Sequence, residues 1–481
     1  MDPASSRRRE GSERDDDAAA ISGEIWATHE DLSPLASRFL RYALAHPEAA
    51  RQVDYRQTAA LPEWMRRYPY PLQPWPTFVD ARKLRQIEQV TVGLTRLVES
   101  IPDRIFGGDP RRVGEFYGWP DELLMSLLLS PPNGLGTGLA RCDLVDDGED
   151  FKCLEVNVGA TIGGWQDRFF ARTCLTSPSV AAFLEREGVQ ARHRDAWRSA
   201  LSLVLELGFR HGHDAAGRFD IGLAINAGDV DGAPAIEALD ELYQEVLRES
   251  GTNCQGAIVR CTYQDGLVRH DGALYHQQHR LGAVIEATEA QTPAVVYRCF
   301  KARRIGLYSG PLAQMLGDKR SLALLSQHAD SDLLSAEERE LVRRHLPWSR
   351  EVAAGRTTYQ GETVSLLDFA VAHRESLVLK AARGFQGIDV HLGCRTSPGE
   401  WQRRLGEAAG TRDMLLQEYV ASRPYLCQYG DRGWARHQAI WGTFSFGGRY
   451  GGGFLRLMPA DRGPGVINSA RGATEGLIFE V

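Results

Sequence analysis

Lysine is nearly missing from this chain. Of 56 basic residues only five are lysines (Lys83, Lys152, Lys301, Lys319 and Lys380), and 51 are arginines. A surface that uses arginine by default makes each lysine a position to examine for its own chemistry. The eight cysteines include no C-x-x-C pair, which argues against a zinc site and a dithiol redox motif. Their scatter predicts a reducing, cytoplasmic setting. No apolar run approaches the ~18–20 residues of a membrane span. The first twenty residues hold no apolar stretch, which speaks against a secretory signal. There is no G-x-x-x-x-G-K-[ST] loop, so a P-loop enzyme is not expected, and NGLGTG (133–138) lacks the following helix of a dinucleotide site. A net charge of −7 supplies no general attraction to nucleic acid or to an anionic membrane. What remains is ordinary: 43% hydrophobic and 25% charged residues over 481 positions, the composition of a globular chain long enough for two to four domains.

The pattern divides the chain. Residues 1–20 mix SRRRE with SERDDDAAA and read as a disordered tail. Residues 21–130 read as a helical N-terminal region, interrupted by YPYPLQPWP (68–76), whose prolines predict an extended connector. Within it, Leu84, Ile87, Val90 and Leu94 recur at helical spacing. Two strands, LARCDLV (139–145) and FKCLEVNV (151–158), flank the turn DDGED. A helix over 194–209 follows. FDIGLAIN (219–226), a helix over 236–248 and GAIVR (256–260) form a strand–helix–strand unit that predicts parallel pairing. The final third reads as strands separated by glycine-rich turns, an α+β pattern.

Three constellations carry chemistry. In the first, Arg141 and Asp143 share one face of a strand, and Glu155 and Asn157 share one face of the next. Two carboxylates and a carboxamide make a hard oxygen site suited to Mg²⁺, with a guanidinium beside it for phosphate or carboxylate. An exposed polar strand face is the competing reading. In the second, Lys380 ends an apolar strand before Arg383-Gly384-Phe385-Gln386-Gly387, where backbone amides and an ammonium can cover phosphates. Lys319, ahead of the helix SLALLSQ, is a similar isolated cation. In the third, GGRYGGG (447–453) reads as a flexible close-approach loop, and Arg456 sits on the apolar strand behind it, where a charge calls for an anionic partner.

Together these segments resemble a circularly permuted ATP-grasp ligase, most similar to the synthetase domain of the glutathionylspermidine synthase family. RCDLVDDGEDFKCLEVN matches that family's R-x-D-L, turn and E-x-N at Arg141, Asp143, Glu155 and Asn157. Asp318-Lys319, Lys380 to Gly387, Gln417 to Val420 and Trp441 to Arg456 match its later motifs in order. The R-x-D and E-x-N set precedes both lysines, which is the permuted arrangement. Val158 to Gly164 departs from the family's pattern, so glutathione and polyamine are not carried over as substrates.

The resemblance implies an α+β, α/β architecture with a permuted ATP-grasp core. Residues 131–215 would carry the metal-binding part and residues 216–310 a small Rossmann-like domain. Residues 311–481 would form the nucleotide-binding lid and core. It implies ATP and Mg²⁺ as cofactors. Asp143, Glu155 and Asn157 would hold the metal. Lys319, Lys380, Gly384, Gln386, Gly387, Gln417, Glu418, Tyr419 and Val420 would hold ATP, with Arg141 and Arg456 catalytic. The implied activity is ATP-dependent joining of a small-molecule carboxylate to an amine, with an amino acid or small peptide as substrate, as in natural-product biosynthesis. Its glycine-rich turns at 384–387 and 447–453 would close as a lid. A nucleotide-binding protein without ligase turnover and a non-enzymatic interaction protein are the alternatives.

Overall fold

A computed structural model describes residues 22–46, 58, 61–119, 121, 125–126, 129, 138–226, 232–264, 266–288, 290–384, 387, 389–428, 433–463 and 465–481. The N-terminal tail, the 131–137 loop and Gln386, with its neighbours Phe385 and Ile388, lie outside them. The described chain is mixed α and β, with fourteen helices and several sheets.

The largest sheet has seven strands: β1 (Leu72–Val79), β2 (Leu139–Asp146), β3 (Phe151–Val158), β16 (Tyr425–Gln428), β17 (Trp434–Phe446), β18 (Arg449–Pro459) and β19 (Thr474–Glu480). Their order is β1-β19-β18-β17-β2-β3, with β16 also pairing β17. The proline-rich stretch that reads as a connector is therefore mostly β1, which runs parallel to β19 at the sheet edge. An edge position explains it, because proline cannot donate to a ladder and is tolerated where one side is unpaired.

Alternation splits this sheet into two faces. One takes Cys142, Leu144, Trp441 and Thr443, and the helix Ala81–Arg104 lies across it. That helix starts where the Asp80 carboxylate accepts from the Lys83 backbone amide, a standard N-cap. It buries Ile87, Val90, Leu94, Val98 and Ile101, and Thr91 bonds Thr443 at 2.7 Å. The opposite face carries the polar constellation.

A second sheet is parallel at its centre: β5 (Ile258–Cys261), β4 (Asp220–Ile225), β8 (His279–Ala287) and β9 (Gly306–Tyr308), with a β6 (Leu267–His270)–β7 (Ala273–His276) hairpin continuing from β8. The helix Ala233–Glu249 crosses from β4 to β5, which is the expected strand–helix–strand unit. Residues 295–300 lie in a helix, Ala294–Lys301.

The third sheet is antiparallel, β10 (Ser349–Glu351)-β15 (Met414–Glu418)-β13 (Leu377–Ala381)-β14 (Val390–Leu392), beside a β11 (Arg356–Tyr359)–β12 (Glu362–Ser365) ribbon. It has its own core of Leu366, Phe369, Leu377, Leu379, Trp401, Leu405 and Leu416.

Candidate functional site

The β2–β3 hairpin sets the site by register. Arg141 stands opposite Asn157, and Asp143 opposite Glu155, so all four share one face as the spacing predicts. A bulge at Leu154 shifts the register just beyond Asp143. The freed Leu154 carbonyl accepts from Lys380 Nζ at 3.4 Å. A bulge that re-aims backbone beside a site is a common device.

Three more strands complete this face. Gly442 on β17 pairs with Asp143 and with Phe454 of β18, while Arg456 pairs with Glu475 of β19. A Cβ on Gly442 would lie 2.8 Å from the Phe454 ring and 3.2 Å from Arg141 Cδ. Only glycine leaves room there for Arg141 and for the Phe454 ring that its guanidinium lies over. Arg141 Nε lies 2.8 Å and Arg456 Nη2 2.7 Å from Asp143 Oδ1. Burial alone would raise the Asp143 carboxyl, but the two guanidiniums outweigh it and hold the group down at about 2. Arg141 is also anchored by the Ile162 carbonyl. With its amide turned to satisfy both neighbours, Asn157 donates to Glu155 Oε1 at 3.0 Å and accepts from Arg141 at 3.3 Å. Arg456 is 95% buried, yet its Nε and Nη2 make no hydrogen bond of good geometry. Nη2 is held by the Asp143 ion pair, which leaves Nε as the donor on this buried cation that calls for an acceptor.

The third sheet and the helix start beside it supply the facing cations. Lys380 sits at the end of β13, where its Nζ donates to Gln417 Oε1 at 2.5 Å. Gln417 in turn donates to Ser349 Oγ at 3.1 Å, so it orients the lysine. Burial draws the Lys380 ammonium down to about 8; Glu155 opposes that and Lys319 adds to it. Lys319 precedes the helix Arg320–Gln327 as read. Its Nζ lies 3.2 Å from Glu155 Oε1 and donates to the Gly384 carbonyl at 2.8 Å. Asp318 is occupied by a fork from Arg320 and fixes the start of that helix. The Gly387 carbonyl accepts from Arg471 at 2.8 Å. Glu418 is taken up within its own unit, by the Trp348 amide at 3.1 Å and Tyr359 at 3.0 Å. Tyr419 and Val420, both half-buried, follow it on the segment leading back to β16. Arg141, Asp143, Glu155, Asn157, Lys319, Lys380, Gln417 and Arg456 thus form one constellation, and Glu418 stands outside it.

The glycine-rich 447–453 run is not a lid. Gly447 and Gly448 form the two-residue turn of the β17–β18 hairpin with φ of 57° and 73°, as a primed turn requires. Gly451–Gly453 are buried in β18, and a Cβ on Gly452 would meet the Arg194 carbonyl at 2.4 Å.

Sequence reading missed Glu475, which accepts from Tyr68, Ser469 and Gln166 at 2.7, 2.7 and 3.2 Å. It also missed Asp167, whose carboxyl burial and then Glu475 push well above the usual range. No spacing in the sequence links Tyr68 to Glu475; only the β1–β19 pairing does.

Among the described residues no group of three or more His, Cys, Asp or Glu is placed to hold a metal ion. Asp143, Glu155 and Asn157 offer two carboxylates and one carboxamide, already approached by three cations. This donor set suits Mg²⁺ whose remaining positions are filled by phosphate oxygens and water, and does not suit a free-standing metal. A scan against protein-family models and a search of curated proteins each find no match for this chain.

Proposed function

We propose that the chain is an ATP-dependent carboxylate–amine ligase built on a permuted ATP-grasp core. One observation carries the reading. The first sheet, the third sheet and the start of the helix Arg320–Gln327 bring Arg141, Arg456, Lys380 and Lys319 together, and among the described residues the carboxylates at ion-pair distance from them are Asp143 and Glu155, with Glu475 acting on Arg141 from farther off. Such an excess of buried positive charge is stable when a polyanion lies between the sheets.

In this reading Lys319 and Lys380 hold the nucleotide phosphates, and Gln417 keeps Lys380 aimed. Asp143, Glu155 and Asn157 would hold Mg²⁺ together with the nucleotide, and the ion would supply neutralisation of phosphate charge. Arg141 and Arg456 stabilise the transferring phosphoryl group, the kind of electrostatic contribution that is usually the largest. The substrate carboxylate oxygen bonds to the γ-phosphorus as the bond to ADP breaks. The amine nitrogen then bonds to the acyl carbon, phosphate leaves with the C–O electron pair, and the nitrogen gives up a proton. Glu418 to Val420 border the position expected for the base. Closure of the third sheet on the hairpin excludes water, which would otherwise hydrolyse the acyl phosphate.

The test is Mg²⁺-dependent ADP release with pooled amino acids and small peptides, beside Glu155→Gln and Lys380→Met. Substrate-stimulated release in the wild type, reduced at least ~100-fold in both variants, is the expected result. Equal release in wild type and variants, or none with any pool and no thermal shift by Mg²⁺ and ATP, overturns the proposal.

A further inference from the structure

The carboxyl ends of β5, β4, β8 and β9 gather a polar cluster that the phosphate-facing constellation does not use. In open parallel sheets ligands bind beyond these ends, at the point where strand order reverses. Here the chain passes from β4 to β5 on one side and returns to β8 on the other. The reversal therefore falls between β4 and β8, and Glu286 stands at the end of β8.

Glu286 is 94% buried. Its Oε1 accepts from Tyr263 and from Thr292, the latter at 2.7 Å, while its Oε2 accepts no hydrogen bond among the described residues. Beside it, just past β9, Ser309 is 91% buried with an unpartnered hydroxyl. Its backbone has φ of 64°, a left-handed conformation that is strained for a non-glycine residue. A Cβ on Gly310 would lie 3.7 Å from Glu286 Oε2, and a Cβ on Gly159 would lie 3.2 Å from Ser309 Oγ. Gly159 is the residue directly after β3. The cluster therefore abuts the strand that carries Glu155 and Asn157.

No lysine or arginine pairs with Glu286 among the described residues. Its spare acceptor suits a ligand that donates hydrogen bonds and carries positive charge. The neighbouring constellation is the reverse, rich in cations and suited to phosphate and carboxylate. From this division we infer that Glu286 and Ser309 form the subsite for the amine substrate, holding its ammonium through Glu286 Oε2 and the Ser309 hydroxyl. The inference rests on the ligase reading for the amine's role. Burial raises the Glu286 carboxyl to about 7, against the lowering by Tyr263 and Thr292. A group titrating there accepts the proton that an ammonium must lose before its nitrogen becomes a nucleophile.

The experiment is calorimetric titration of the protein, without nucleotide, with methylamine, putrescine and the C-terminal amides of the amino acids other than aspartate and glutamate. None of these probes carries a carboxylate, so the cationic constellation does not attract them. The same titrations use Glu286→Gln, which keeps the shape and the Tyr263 and Thr292 contacts, and Ser309→Ala. The thermal shift by Mg²⁺ and ATP is recorded in parallel. Saturable binding of at least one amine, weakened tenfold or more by Glu286→Gln and several-fold by Ser309→Ala with the nucleotide shift unchanged, supports the subsite. Failure of every amine to bind the wild type, or equal binding by Glu286→Gln, overturns it. Loss of the nucleotide shift in the wild type is a separate result, which removes the ligase reading and leaves the amine data to judge the pocket.

Discussion

Asp143 changes meaning once its surroundings are known. As a sequence position it is one of three metal ligands that the resemblance implies, with Glu155 and Asn157. In the structure it is the shared counter-ion of two buried arginines. Removing one partner of a buried ion pair costs about 3–5 kcal/mol, because the remaining charge stays desolvated. Asp143→Ala should therefore lower the unfolding free energy by that order, read as a drop in the denaturant midpoint at unchanged slope. The double variant Asp143→Ala, Arg456→Met should recover part of the loss, as a double-mutant cycle would measure. Additive losses would show that the two residues do not stabilise one another. Glu286 gives a second residue-scale expectation. Its folded-state value of about 7 lies above the ordinary 4.5, so the folded protein holds a proton that the unfolded chain releases. Stability then falls as pH rises from about 4.5 to 7, by roughly 3 kcal/mol in total, and is flat for this group above that. Facing Glu286 are Tyr263, Tyr297 and Thr292, none of which changes charge in that window. Glu286→Gln should remove this slope from the pH–stability profile; an unchanged slope would place its source elsewhere.

At the scale of elements, legibility follows the range of the interaction. The β2–β3 hairpin was readable because its turn is five residues long and its alternation is local. The helix Ala81–Arg104 was readable from Leu84, Ile87, Val90 and Leu94 for the same reason. The strand–helix–strand unit over 220–261 was readable from its change of period. β1 was not, because its prolines follow the local rule for a connector while its pairing partner, β19, lies about 400 residues away. The 447–453 glycines failed differently. Composition says that glycine permits close approach, but not whether a loop or a packed strand is what approaches. Here it is packing, against Phe446, Arg194 and the β17 backbone. Among the site residues, those on alternating positions of one hairpin were legible. Gln417 was legible only by resemblance, and its role in orienting Lys380 depends on the β13–β15 register. Glu475, Asp167, Glu286 and Ser309 carry no local signature; each is defined by neighbours from other elements.

At the scale of the whole molecule, charge is the organising quantity. The chain carries −7 overall, yet the face between the first and third sheets concentrates cations whose few carboxylate partners are already taken. Field of one sign in a cleft within an oppositely charged protein selects its ligand by charge before shape. The acidic oxygens available to a metal are too few and too encumbered to bind Mg²⁺ from solution by themselves. In the proposed ligase reading a nucleotide would bring the phosphate oxygens that such a metal needs and would compete with Glu155 for Lys319, so metal and nucleotide should bind as a unit. Measured by thermal unfolding, Mg²⁺ alone should leave the midpoint where it is, ATP with a chelator should raise it slightly, and the two together should raise it by several degrees. Binding to the native state stabilises by RT ln(1 + [L]/Kd), about 2.7 kcal/mol at a hundredfold excess over Kd. For domains of 150–250 residues each kcal/mol moves the midpoint by about 2–4 °C. A full shift with Mg²⁺ alone would mean that a metal centre forms without the nucleotide, and the two-carboxylate account of this site would be wrong.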